Sequence, residues 1–161
     1  MPVTTDIVAT YRGPRTVFRR LLDMGEHEGR ALAILMAACA IFFVAQWPAL
    51  SREAHLTGQE LNPLLGGSLM AWIFIAPLIF YLIAYLSQWI LRALGGKATG
   101  FGARLALFWA FLAASPLKLL HGLVAGFIGS GAGLTSVGAI WFAVFLWFWI
   151  SNMREAGWGT T

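Results

Sequence analysis

The chain has 161 residues, 59% of them hydrophobic and only 11% charged, whereas a typical soluble domain is about 25% charged. Its net charge is +4, and residues 31–50, 61–91, 105–117 and 122–153 hold no Asp, Glu, Lys or Arg. This excludes a water-soluble domain and predicts an all-α, polytopic membrane helical bundle. The single cysteine, Cys39, lies inside the first uncharged run, which excludes an intramolecular disulfide and suits a small core residue.

In chain order, residues 1–13 are polar and Gly13-Pro14 punctuates them. Pro14 suits a first helical position, where its missing N–H does no harm. Residues 14–29 are expected to form an N-terminal cytoplasmic amphipathic helix. Val17, Phe18, Leu21 and Leu22 fall on one face, and Arg15, Arg19 and Arg20 on or beside the other. These arginines are the candidate interfacial basic residues for an anionic leaflet. The same apolar face is equally suited to packing on the protein's own cytoplasmic side. Asp23-Met-Gly-Glu26 has the form of a helix start, with an N-cap carboxylate and a Glu three residues on. The first span is therefore expected to be helical from near residue 24 and membranous from Ala31. It is also expected to act as an uncleaved signal anchor, since no short cleavable apolar core precedes it. The arginines before it are too few for a nucleic-acid patch, and no nucleic-acid partner is expected.

The first span covers about 31–50, about 30 Å of helix, or one hydrocarbon thickness. Residues 51–66 are expected to be an exposed loop. The second span covers about 67–91, and Pro77 should kink it. Residues 92–104 form a basic, glycine-containing loop. The third span is expected over 103–121, because splitting it at Pro116 gives pieces of about 18 Å each, and neither crosses alone. Lys118 and His121 are then near the exit, where Lys can snorkel to headgroups. Residues 122–133 become an interfacial or re-entrant connection, and the fourth span covers about 134–151. The organisation is thus a cytoplasmic segment 1–29, a transmembrane domain 30–152 and a cytoplasmic tail 153–161. Lys and Arg gather before span one and after span two, which is expected to place both termini in the cytoplasm. Trp47 and Trp72 suit the outer boundary, and Trp89, Trp147 and Trp149 the inner one.

Pro14-Arg15, Arg30-Ala31-Leu32, Gln46-Trp47-Pro48, Gly102-Ala103-Arg104 and the proline near the end of span three carry a resemblance over roughly residues 6 to 155. The chain resembles the small alphaproteobacterial members of the Yip-one domain family, related to eukaryotic Ypt/Rab-interacting proteins. The resemblance implies an all-helical membrane domain without a known catalytic residue set. Family members are usually described with five spans, which leaves room in 103–133 for a fifth, short or re-entrant helix.

The candidate chemistry is sparse. Ser115, Lys118 and His121 share one helical side and offer a small polar site for a lipid headgroup or a proton, or else an interfacial anchor. Tyr81, Tyr85 and Gln88 share a face of span two. Gly122 and Gly126 form a G-x-x-x-G, a candidate helix contact. His27 and His55 fall on opposite sides and cannot share a metal. No hydrolase or phosphate-binding motif occurs, and every carboxylate lies outside the spans, so no enzyme, cofactor or metal is expected. The expected function is that of a non-enzymatic membrane protein acting through membrane lipids, or within a larger membrane protein complex or homo-oligomer, as an accessory, assembly or membrane-organising factor. The alternative is a small oligomeric transporter or channel, which needs polar groups at the midplane.

Overall fold

The computed structural model describes residues 3–97 and 99–158. Its elements are α1 (Val3–Thr10), α2 (Pro14–Asp23), α3 (Glu28–Thr57), α4 (Leu61–Met70), a π turn (Ala71–Ile75), α5 (Ala76–Ala93), α6 (Gly100–Ala113), α7 (Ser115–Phe127) and α8 (Ala132–Trp158). No strand occurs among the described residues. Three helical stretches are long and apolar enough to cross a membrane, and the bent pair α6–α7 makes up to four.

The N-terminal segment differs from expectation in three ways. The polar start contains a helix, α1. The helix expected over 14–29 ends at Asp23, so Asp23 closes α2 and does not cap the first span. Gly25 explains the stop: its φ of +91° lies in the left-handed region, which interrupts a right-handed helix. The long helix α3 then starts at Glu28, behind an extended His27.

The loop expected over 51–66 is mostly helix. α3 continues through Pro48 to Thr57 and α4 begins at Leu61. Arg52, Glu53, Ala54 and Leu56 are good helix formers, so nothing after Pro48 stops the helix until Gly58. The second stretch likewise starts before residue 67 and runs continuously over Leu61–Ala93. Pro77 does not break it. A π turn over Ala71–Ile75 widens the backbone just ahead of the proline, where a missing N–H and the ring would otherwise clash with the preceding turn.

The largest correction concerns residues 103–133. The helix breaks after Ala113 and resumes at Ser115 with a 44° bend. The two pieces, about 21 and 20 Å long, still reach about 37 Å end to end at that angle. A broken helix can therefore cross where neither half could alone. Residues 122–127, expected in a connection, are helical in α7, and α8 begins at Ala132. It continues through most of the expected tail to Trp158, while residues 159–161 lie outside the described residues.

α6 is the centre of the bundle. From Leu105 to Ala114 no residue is more than 2% exposed. α3, α5 and α8 surround it, and α1 and α2 cover its remaining side. The Phe111 ring lies tilted against Phe42 of α3 at 3.9 Å, Phe108 meets Tyr81 of α5 at 5.0 Å, and the Asn152 amide of α8 donates to the Ala106 carbonyl at 3.1 Å. Glu28 pairs with Arg104 at one end, and Phe42 meets Phe111 farther along, so α3 and α6 run parallel. Ala45 and Pro48 of α3 meet Gly122 and Gly126, so α7 continues in the same direction. A segment turning back on itself would oppose α3. Cys39 is buried in α3 with Ala38 and Phe42.

Candidate functional site

The break between α6 and α7 frees backbone carbonyls, and a low-dielectric interior requires partners for them. Pro116 has no N–H for the Leu112 carbonyl. The Ser115 hydroxyl donates to that carbonyl at 2.6 Å. The Ala113 carbonyl receives the Tyr11 hydroxyl at 2.6 Å, from the turn between α1 and α2. Ser115 therefore serves the helix break, with no atom aimed at a ligand. Thr10 completes the joint: its hydroxyl accepts from the Trp109 indole N–H at 3.1 Å and donates to the Asp6 carbonyl at 2.7 Å.

Burial pushes the Tyr11 phenol up from 10.0 to about 12. The docked form therefore holds its proton more tightly than the free form. The stability contributed by this group is complete below pH 10 and is lost as pH rises toward 12. Tyr11→Phe removes the bond and leaves the Ala113 carbonyl buried. It should weaken docking of the α1–α2 segment by about 1–3 kcal/mol. Hydrogen exchange of residues 3–23 reads this directly: the variant should lose protection at neutral pH and no longer respond to alkaline pH.

Lys118 is deeper than expected. α7 continues beyond it to Phe127, and its ammonium lies over the rings of Phe42 at 5.9 Å and Trp141 at 5.4 Å. Phe42 is near the middle of the uncharged run 31–50, about 16 Å from Ala31 and 12 Å from Leu50 along α3. Lys118, expected near the exit of span three, is half-buried and level with Phe42, near the middle of the run 31–50. His121 lies beside it, with Nδ1 at 3.4 Å from Nζ. With Lys118 as an ammonium, which only donates, Nδ1 accepts and the ring proton sits on Nε2. That side faces Gly138 of α8, where even a methyl would come within 3.2 Å. The Trp141 indole N–H is buried with no partner among the described residues.

A charged lysine at the centre of a hydrocarbon layer costs about 2.5–3.5 kcal/mol. Contact with two aromatic faces returns about 1–2 kcal/mol. The histidine nitrogen adds one hydrogen bond. The site is therefore cationic and donor-rich, and among the described residues no carboxylate pairs with it. Sequence spacing brought Lys118 and His121 together, but nothing in it pointed to Phe42 or Trp141, which come from other helices.

Gly122 and Gly126 form the seam between α7 and α3. A Cβ on Gly122 would lie 2.0 Å from the Ala45 carbonyl oxygen, and one on Gly126 would lie 2.2 Å from the Pro48 Cβ. Arg52 closes the far end by donating to the Gly126 carbonyl at 3.4 Å. Tyr81 turns inward onto Phe108, whereas Tyr85 is exposed beside Trp89, so the two do not line one path. His27 and His55 lie at opposite ends of α3.

The apolar face of α2 is spent inside the protein. Val17, Phe18 and Leu21 are at most 5% exposed, packed against the bundle. Of the two expectations for this face, packing on the protein itself is the one these contacts match. Its arginines hold two buried carboxylates: Arg15 and Arg19 reach Glu155 at 3.1 and 2.7 Å, and Arg20 reaches Asp6 at 2.6 Å. Glu155, expected in a free tail, has a side chain only 3% exposed. The sequence held one hint: Glu155 is the only acidic residue after Glu60.

The chain matches no protein-family model, no curated protein sequence and no solved structure. The Yip-like resemblance rests on the residues that carry it.

Proposed function

We propose that this chain is a non-enzymatic, Yip-like integral protein of a bacterial inner membrane, acting through lipid or protein contacts as an accessory, assembly or membrane-organising factor. In this reading α3, α4–α5, α6–α7 and α8 each cross once, and both termini are cytoplasmic. The observation that carries it is the interior around α6. Phe42, Phe111, Phe145 and Trp141 pack ring against ring across the bundle centre, and the carbonyls freed at the helix break are closed by Ser115 and Tyr11. Such an interior favours a rigid body that offers its outer faces to neighbours. Long apolar faces support this, with Phe74, Leu78, Leu82 and Leu86 exposed along the α4–α5 helix. Purification from native membranes in mild detergent tests the reading. A larger assembly is expected, and recovery only as a free monomer would overturn it.

Topology gives a separate check. Reporters fused after Gly96 and after the last residue should both read cytoplasm, and a reporter after Glu60 the opposite side. Opposite sides for the first two would mean an odd number of crossings between them.

Lys118 at mid-depth favours one competing reading, a small oligomeric transporter, because ionisable groups there mark substrate or proton paths. Single cysteines at Tyr81, Tyr85, Ser115 and Lys118, with Cys39 replaced by serine, discriminate. The contact reading expects no reaction with an impermeant thiol reagent at Tyr81, which packs on Phe108, or at Ser115, which is buried. Labelling at both would favour transport.

A further inference from the structure

We propose that Lys118, with His121 and the Trp141 indole N–H, receives the carboxylate of a membrane-spanning helix from a different protein. This rests on the contact-making reading and names the chemistry of the partner. Depth selects its class. Lys118 lies level with Phe42, near the middle of the run 31–50. A phospholipid phosphate stays at the ends of such a run, about 12 Å or more away along the helix. A second copy of this chain cannot supply the charge, because its carboxylates all fall outside the uncharged runs.

The groups on offer are complementary to a carboxylate. The ammonium has donor capacity beyond its one bond to His121, and the buried Trp141 N–H has no acceptor among the described residues. A carboxylate takes several donors at once and would neutralise the cation. Lys118 is only half-buried, so its side chain keeps an open flank through which a carboxylate can arrive.

The test uses the full chain in neutral phosphatidylcholine vesicles and a synthetic apolar helix of about 20 residues with one central Glu. Its twin carries Gln. Energy transfer between protein and peptide reads binding. The wild type should bind the Glu peptide about tenfold more tightly than the Gln peptide, and Lys118→Met should abolish the difference. Moving the Glu by about six residues, roughly 9 Å, toward either end should also abolish it, with no variant required. Trp141→Phe should reduce the preference by about threefold. Equal binding of both peptides by the wild type, or a preference indifferent to Glu position, overturns the proposal. So does competition by soluble acetate at the same site, which would assign it to an aqueous anion. Loss of discrimination alongside a native assembly in mild detergent would sink this site alone. A free monomer in that purification would sink the broader reading.

Discussion

Gly122→Ala is expected to destabilise the bundle by about 3 kcal/mol, although alanine is the better helix former. The direction makes this diagnostic. In an open helix the same change gains about 0.5–1 kcal/mol, because glycine loses more backbone entropy on folding. At Gly122 the new Cβ would meet the Ala45 carbonyl oxygen at 2.0 Å, and at Gly126 the Pro48 Cβ at 2.2 Å. Both neighbours belong to the backbone or to a rigid ring, so neither can rotate away, and α7 must separate from α3. Gly67→Ala is the matched control, since nothing lies within 4 Å of its added methyl. Denaturant titration in mixed micelles should show opposite signs for Gly67 and Gly122. A neutral Gly122→Ala would mean that α7 does not pack on α3 in this register. Gly122→Leu should prevent assembly of the α3–α7 pair outright, since no rotamer clears a backbone oxygen.

The helical, membrane-suited character of the chain was legible because it depends only on where charge is absent. Four uncharged runs mapped onto α3, α4–α5, α6–α7 and α8, since any backbone in hydrocarbon must close its own hydrogen bonds. Helix ends were less legible. Pro48 and Pro77 read as boundary or kink, yet both sit inside continuous helix because local widening and neighbouring packing absorb them. Pro116 argues against two separate spans, and the single span expected over 103–121 becomes one bent pair, long enough together to cross once. A lysine's preference for water suggests a place near the exit for Lys118, whereas the α3–α7 seam through Gly122 and Gly126 sets it level with Phe42, and that seam is tertiary. The same limit hid Glu155 and Tyr11. Their partners are 140 and 102 residues away in sequence, and no local pattern reports such pairs.

The Glu155 cluster should break unequally from its two sides. Its carboxylate side chain is 3% exposed, whereas Arg15 and Arg19 remain 62% and 49% exposed. Glu155→Gln removes the buried charge and leaves arginines that water can solvate, so the cost should be about 1–2 kcal/mol. Replacing both Arg15 and Arg19 by Gln leaves the carboxylate buried without its cations, and the cost rises to about 3–5 kcal/mol. Ordinary counting of lost bonds predicts similar penalties for the two changes; burial predicts that the arginine pair matters more. Trypsin applied to the protein in mild detergent can read this through cleavage after Arg12, which both variants retain. Cleavage there should be only modestly faster in Glu155→Gln and much faster in the double variant. Adding Glu155→Gln to the double variant should restore much of the protection, because it discharges the stranded carboxylate. If the triple variant is cleaved as fast as the double, Glu155 does not hold α2 through its charge, and the α1–α2 segment is retained by Val17, Phe18 and Leu21 alone.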